Sequence, residues 1–350
     1  MDANVRKAPR SMMGARRGMW RCAAACIASL VSIPAVAAGT PVSMMFDWTP
    51  SALYAPVYYA KAQGWYEKAG IDLSVEVGRG SAVSSQRVGI GRSEFGLADL
   101  ATAMVAKGNG ADLVALMSIY ANTPQTFYWL KSSGIKGPRD FSGKRIGNPP
   151  GDASRIMWPA FAKAVGISAD SVSFVNVTPP SKLPSLRSGV VEITSDFYNE
   201  HGPKAKEIGD NLGYIRWPEV GLNPYGVSVI VHGAYLKRNE PLVNAFVKTT
   251  QRAYAHCVRD ASPCLAALFA GATGLDEATQ RDQWERIKTL MTDDFTTSKA
   301  LGWIDGDRLK KDYDLVNTHI GIKAPFDVGS VFTTRFLDTT VKMDRSKVAQ

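Results

Sequence analysis

Between Met44 and Leu73 the chain reads M-M-F-D-W-T-P-S-A-L-Y-A-P-V-Y-Y-A-K-A-Q-G-W-Y-E-K-A-G-I-D-L, and this order of signals admits few folds. It predicts a strand ending at Asp47-Trp48, a Thr49-Pro50 turn, a helix over about 53–63 and a new strand from Ile71. Pro56 falls in the first helical turn, where its missing N–H costs little, and Gly64 stands where a left-handed C-cap is wanted. This is one strand–helix–strand unit. In an open α/β sheet the loop leaving a strand's carboxyl end faces the ligand crevice. Trp48, Ser51 and Tyr54 are therefore placed at a binding site rather than in the core.

The same grammar continues. Strand Ile71–Val77 leads through Gly78-Arg79-Gly80 to Ser81, read as the N-cap of a helix reaching Arg87. A strand follows that delivers Asp99 and Thr102, then a helix Ala101–Lys107 and an apolar strand Asp112–Ile119. A second set begins with strand Lys144–Gly147, loop Pro149–Asp152, a helix over Ser154–Val165, strand Val172–Val177, a helix near Lys182–Ser188 and strand Val191–Ser195. Leu186–Asp196 echoes Arg87–Asp99: a basic helix end, a glycine, an acid, an apolar strand and a terminal Asp. Strand Val227–Val231 is expected to cross back, and from Glu240 apolar residues recur at helical spacing. The fold class is α/β, with two lobes, each a mostly parallel sheet flanked by helices, and a ligand cleft between them. The expected division is a first lobe over 39–130, a second over 131–226, and a return to the first over 227–350, with hinge crossings near Tyr128–Ser132 and Tyr225–Val231.

The first 38 residues are set apart. Six Lys/Arg precede or enter an apolar run from Cys22 to Ala38 that ends in Ala35-Val36-Ala37. This reads as a secretory signal peptide cut after Ala37 or Ala38, the alternative being an uncleaved anchor. Of 41 Lys+Arg and 32 Asp+Glu, this stretch holds six and one, leaving 35 and 31 beyond it, a formal +4 against +9 for the whole chain. No basic run follows, so nucleic-acid binding has no electrostatic footprint. Of four cysteines only Cys257 and Cys264 lie beyond the leader. In an oxidising compartment they are a disulfide candidate, or else two buried thiols. His201, His232, His256 and His319 share no ligand spacing, and no metal site is expected. No G-x-S-x-G, H-E-x-x-H or Walker pattern occurs, so no enzyme class and no cofactor is indicated.

Strand ends nominate the polar and aromatic lining of the cleft: Asp47, Trp48, Tyr54, Asp99 and Thr102 from one lobe, and Asp152, Ser154, Arg155, Asp196, Tyr198, Asn199 and Glu200 from the other. Trp48, Tyr54 and Tyr198 are suited either to stack on a flat ring or to pack in the core. Pro150-Gly151-Asp152-Ala153-Ser154-Arg155 opens a helix and is either an anion site using Arg155 or a plain N-cap by Asp152.

D-W-T-P, the helix carrying Y-A, and G-W-Y-E-K-A-G-I-D-L resemble the opening of the thiamine-pyrimidine-precursor branch of periplasmic substrate-binding proteins, a group that also includes sulfonate and nitrate binders. The resemblance implies a type II two-lobe fold, a periplasmic location, a monomer, and delivery of a small solute to an inner-membrane ABC permease and its ATPase without chemistry of its own. Where that branch commonly carries a histidine in W-x-P-N-x-x-H, Tyr54 stands here, which keeps stacking but loses a titratable base. The expected ligand is a flat heterocycle or aromatic solute. The alternatives are an alkanesulfonate, nitrate or carboxylate binder, a secreted pyrimidine-modifying or synthetic enzyme on the same fold, supported by Glu200-His201, and a periplasmic sensor domain.

Overall fold

The computed structural model describes residues 39–348. The predicted signal peptide lies outside them. Among the described residues no helix is long and apolar enough to cross a membrane.

Among the described residues ten strands form two five-stranded sheets. They are β1 (Thr40–Met45), β2 (Ile71–Glu76), β3 (Phe95–Asp99), β4 (Leu113–Ser118), β5 (Gln125–Leu130), β6 (Arg145–Gly147), β7 (Ser173–Val175), β8 (Ile193–Phe197), β9 (Leu212–Arg216) and β10 (Val227–His232). The first sheet has the order β2-β1-β3-β10-β4 and the second β7-β6-β8-β5-β9. The two orders are the same plan. In each, three strands run parallel, and a fourth inserts antiparallel between the third and the edge strand.

The inserted strand is in both cases the one that follows a crossing between lobes. β5 pairs with β8 and β9 and so belongs to the second sheet. This corrects the expectation that the first lobe extends to residue 130 with a hinge at Tyr128–Ser132. Tyr128 and Trp129 are buried because they lie inside a central strand, and the chain crosses earlier, over 119–124. The return runs from Trp217 to Gly226, before β10 re-enters the first sheet. The two crossings are tied together: Gly226 N–H donates to Tyr120 O at 2.9 Å and Ile119 N–H to Val227 O at 2.8 Å. Arg308 closes over both. Its guanidinium donates to the carbonyls of Ala121 and Asn223, pairs with Asp293 at 3.0 Å and lies 4.0 Å from the centre of the Tyr225 ring.

Local chemistry explains the elements near the cleft. The segment after β1 forms a 3-10 turn, Ala52–Tyr54, feeding the helix Ala55–Ala62 with Pro56 in its first turn. Gly64 adopts φ 64°, a left-handed conformation that a side chain would strain. The single helix expected over 154–165 is two, Ala153–Ile156 and Trp158–Val165. Pro159 has no N–H to donate back to the preceding turn, so the ladder is interrupted and the break falls at Met157.

The C-terminal helices pack against the lobes. Glu240–Arg259 and Ser262–Gly271 lie on Ala55–Ala62, and Cys257 and Cys264 are bonded across their junction with Cα atoms 5.9 Å apart. The helix Glu277–Leu290 touches both lobes: Gln280 accepts from Ala52 N–H at 2.6 Å, and Gln283 donates to Glu200 at 2.9 Å. Its Trp284 is buried in the core of the first lobe.

Candidate functional site

A cleft lies between the two sheets, lined by residues of both lobes. Its cavity volume is about 30 Å³, room for roughly two waters. The lobes are drawn together over it. Ala82 N–H donates to Gly151 O across the gap at 3.3 Å, and a side chain at Gly80 would collide with that same carbonyl.

The first lobe contributes Asp47, Trp48, Ser51, Leu53, Tyr54, Gly80 and Ser81 to the lining. Asp47 leaves β1 and turns inward because its neighbours are built to hold it. Tyr54 Oη donates to its Oδ1 at 2.9 Å, Ser81 Oγ approaches Oδ2 at 3.4 Å, and Gly80 N–H holds its carbonyl at 2.7 Å. The Tyr54 ring stacks on Phe46, with centroids 4.2 Å apart and planes at 17°, so it packs as core and presents its hydroxyl to the site. Trp48 is half-buried at the mouth. Ser81 is the first helical residue rather than the N-cap expected; Gly80 caps. Its hydroxyl is spent on Asp47 and on accepting Asp99 N–H at 3.0 Å.

From the second lobe come Asp152, Ala153, Ser154, Lys182, Asp196, Phe197, Asn199 and Glu200. Asp152 caps its own helix, accepting from the N–H groups of Ser154 and Arg155 at 2.9 and 3.4 Å. Lys182, 2% exposed, sits between two carboxylates, with Asp152 at 2.9 Å and Asp196 at 3.1 Å. Lys204 takes the other oxygen of Asp196 at 2.8 Å. The Lys182 ammonium also lies 5.0 Å from the centre of the Trp48 indole, which joins the lobes through a cation–π contact.

These placements set the protonation chemistry. Burial alone would lower the Lys182 pKa, but Asp152 and Asp196 more than offset it and hold the ammonium above its ordinary range. Burial works against Asp196 too, yet Lys182 and Lys204 keep it below the usual carboxylate range. Asp47 and Glu200 have no such partner, and burial pushes them up to about 6 and about 7.

Eight of the twelve residues nominated at strand ends, Asp47, Trp48, Tyr54, Asp152, Ser154, Asp196, Asn199 and Glu200, lie on the cleft. Four do not. Asp99 is fully buried as the N-cap of the helix Leu100–Gly108, bonding Thr102 N–H at 3.2 Å and Gln125 Nε2 at 3.3 Å. Thr102 is buried beneath it. Arg155 turns away, donating to Asn176 at 2.5 Å and lying over Phe174. The anion site it was to serve is filled by the carboxylate of Asp152 instead. Tyr198 is sandwiched outside the cleft between Arg216 and Arg286. Lys182 was missed. A lysine at the first position of a helix opposes the helix dipole, and that local conflict was the signal that it answers to carboxylates elsewhere.

Among the described residues no group of three or more His, Cys, Asp or Glu is placed to hold a metal ion, and the cleft lining contains no histidine or cysteine.

The chain is similar to known proteins. A 4-amino-5-hydroxymethyl-2-methylpyrimidine phosphate synthase of Legionella pneumophila is 23% identical, the match covering 88% of this chain and 96% of that protein. A formylaminopyrimidine-binding protein of Halalkalibacterium halodurans is 18% identical over 84% of this chain and 89% of its own length. The riboflavin-binding protein RibY of Chloroflexus aurantiacus is 21% identical, covering 85% and 86%. Among solved structures, the alkanesulfonate-binding protein SsuA of Xanthomonas axonopodis pv. citri superposes with a TM-score of 0.66 at 15% identity, over 85% of this chain and 100% of that one. That likeness makes the fold the two-lobed one of periplasmic binding proteins. The family model described as NMT1/THI5 like matches residues 52–262, more than half of the chain, and the chain belongs to that NMT1/THI5-like family.

Proposed function

We propose that this protein is the periplasmic solute-binding component of an ABC importer, taking a small flat heterocycle into the cleft and passing it to an inner-membrane permease without altering it. The observation that carries the reading is the composition of the cleft. The Trp48 indole lies beside carboxyl groups suited to accept hydrogen bonds from ring N–H donors. The relatives named for formylaminopyrimidine and riboflavin favour a flat ring. The anionic alternative is disfavoured because Asp152 occupies the helix start that would hold an anion and Arg155 points elsewhere. Binding proceeds by hinge motion at 119–124 and 217–226, since a slot holding about two waters must open to admit a ring.

A thermal-shift screen of residues 39–350 against pyrimidines, riboflavin, aromatic carboxylates, alkanesulfonates and nitrate tests this. Ligand at a thousand times Kd adds about 4 kcal/mol to stability. Shifts with ring compounds alone are expected; a shift confined to sulfonates or nitrate overturns the reading.

A synthase remains the second reading, because the Legionella relative carries that name. The pair that suggested it is divided: Glu200 lines the cleft, whereas His201 packs 4.4 Å from Tyr214 and is not part of the lining. Turnover of a bound ring compound, followed by mass spectrometry, decides between the two.

A further inference from the structure

The charges around the slot do not balance. Asp152 and Asp196 are matched by Lys182 and Lys204. Asp47 and Glu200 line the same slot, and neither forms an ion pair with a described residue. Each is anchored through one oxygen. Tyr54 Oη holds Asp47 Oδ1 at 2.9 Å, while Oδ2 has only the Ser81 hydroxyl at 3.4 Å. Gln283 Nε2 holds Glu200 Oε2 at 2.9 Å, while Oε1 has only Asn199 Nδ2 at 3.4 Å. Both carboxyls thus keep an oxygen with spare accepting capacity. Asp47 belongs to the first lobe and Glu200 to the second.

We propose, building on the flat-solute reading above, that this cleft selects a flat ligand with a positively charged N–H edge, of amidinium type, held between Asp47 of one lobe and Glu200 of the other. A carboxylate buried without a counter-charge is costly, and its attraction to a cation is strong where water is excluded. A cationic edge removes that cost at both residues, whereas an anion adds a third unmatched negative charge. Because each lobe supplies one carboxylate, the cation gains most when the lobes are together. The ligand's charge therefore favours the closed state. Burial already pushes both acids up towards neutrality, as expected of groups awaiting a counter-charge.

Benzamidine, benzamide and benzoate share a ring and differ in charge, which makes them the probes. Titration calorimetry with residues 39–350 at pH 7.5 is expected to show benzamidine binding at least tenfold tighter than benzamide, with no heat from benzoate at millimolar concentration. Asp47→Asn and Glu200→Gln should each narrow the gap between benzamidine and benzamide to threefold or less. Equal binding of the three, or a preference for benzoate, overturns the inference and leaves the flat-solute reading intact. So does a slot that refuses all three yet takes a neutral or anionic ring compound from the thermal-shift screen. Failure of every ring compound removes the flat-solute reading itself. Should a variant not fold, the wild-type comparison alone decides.

Discussion

Asp99 and Asp196 occupy matching places in the two lobes and have opposite fates. Each comes at the carboxyl end of the third strand of an identical sheet plan, β3 in one and β8 in the other. Each ends a similar run of basic helix end, glycine, acid and apolar strand. After Asp99 the chain turns directly into the helix Leu100–Gly108, so the carboxylate folds back onto Thr102 N–H and is sealed in. After Asp196 come Phe197 and a 3-10 turn, and the next helix begins only at His201. That carboxylate is free to reach Lys182 and Lys204 at the cleft. Burial pushes Asp99 up to about 6, whereas the two lysines hold Asp196 low. A difference of four residues in where the next helix starts turns a helix cap into a site residue.

The comparison breaks most severely at Lys182. Replacing it by Met leaves Asp152 and Asp196 facing each other in a buried cleft, and removing one partner of a buried pair costs about 3–5 kcal/mol. Urea unfolding should show that loss, and a variant as stable as wild type would mean that the pair is not what holds Asp196. Asp99→Ala comes next. It removes a cap and a hydrogen bond to Gln125, worth together about 2 kcal/mol, and Asp99→Asn should recover at least half, since Asn caps as well as Asp. Ligand affinity should stay within threefold of wild type in both, because Asp99 does not touch the cleft.

Trp48→Ala tests the opposite kind of residue. Affinity for whichever ring compound binds should fall at least tenfold, which is about 1.4 kcal/mol. The unliganded melting midpoint should drop by less than about 3 °C, since Trp48 is half-buried and the substitution loses one cation–π contact and little core. A collapse of that midpoint would place Trp48 in the core.

The same comparison has a pH dependence. Asp47, Asp99 and Glu200 bind a proton more tightly when folded than when unfolded. Their contribution is full below the unfolded carboxylate pKa and is lost as pH rises through about 6 and about 7. Unliganded stability should therefore decline between about pH 5 and pH 8, and Glu200→Gln should flatten the upper part of that decline. Lys204, Asp196 and Lys182 are the charged groups that act on Glu200. Asp196, with its lowered pKa, acts in the opposite sense and loses its contribution only as pH falls below the ordinary carboxylate range. A stability profile that rises towards pH 8 would mean that Asp47 and Glu200 find counter-charges in solution.

The strand–helix–strand order was legible because each signal is local. Pro56 and Gly64 punctuate one helix, and alternating apolar runs mark the sheets. The placement of Asp47, Trp48 and Tyr54 followed from the rule that strand ends face a crevice. What remained hidden depended on pairing between distant segments. β5 reads equally well as the end of the first lobe, and only its partners β8 and β9 assign it to the second sheet.

The amino-acid sequence by itself determined the elements, the two-lobed α/β plan and the loops that face the cleft, because propensity, capping and periodicity act over a few residues. Tertiary structure alone decided which acids are matched and which are not. Lys182 lies 30 residues from Asp152 and 14 from Asp196, and Gln283 reaches Glu200 from 83 residues away. Charge compensation in a buried cleft is set by distances of 3 to 4 Å, and such distances between remote residues exist only once the chain has folded.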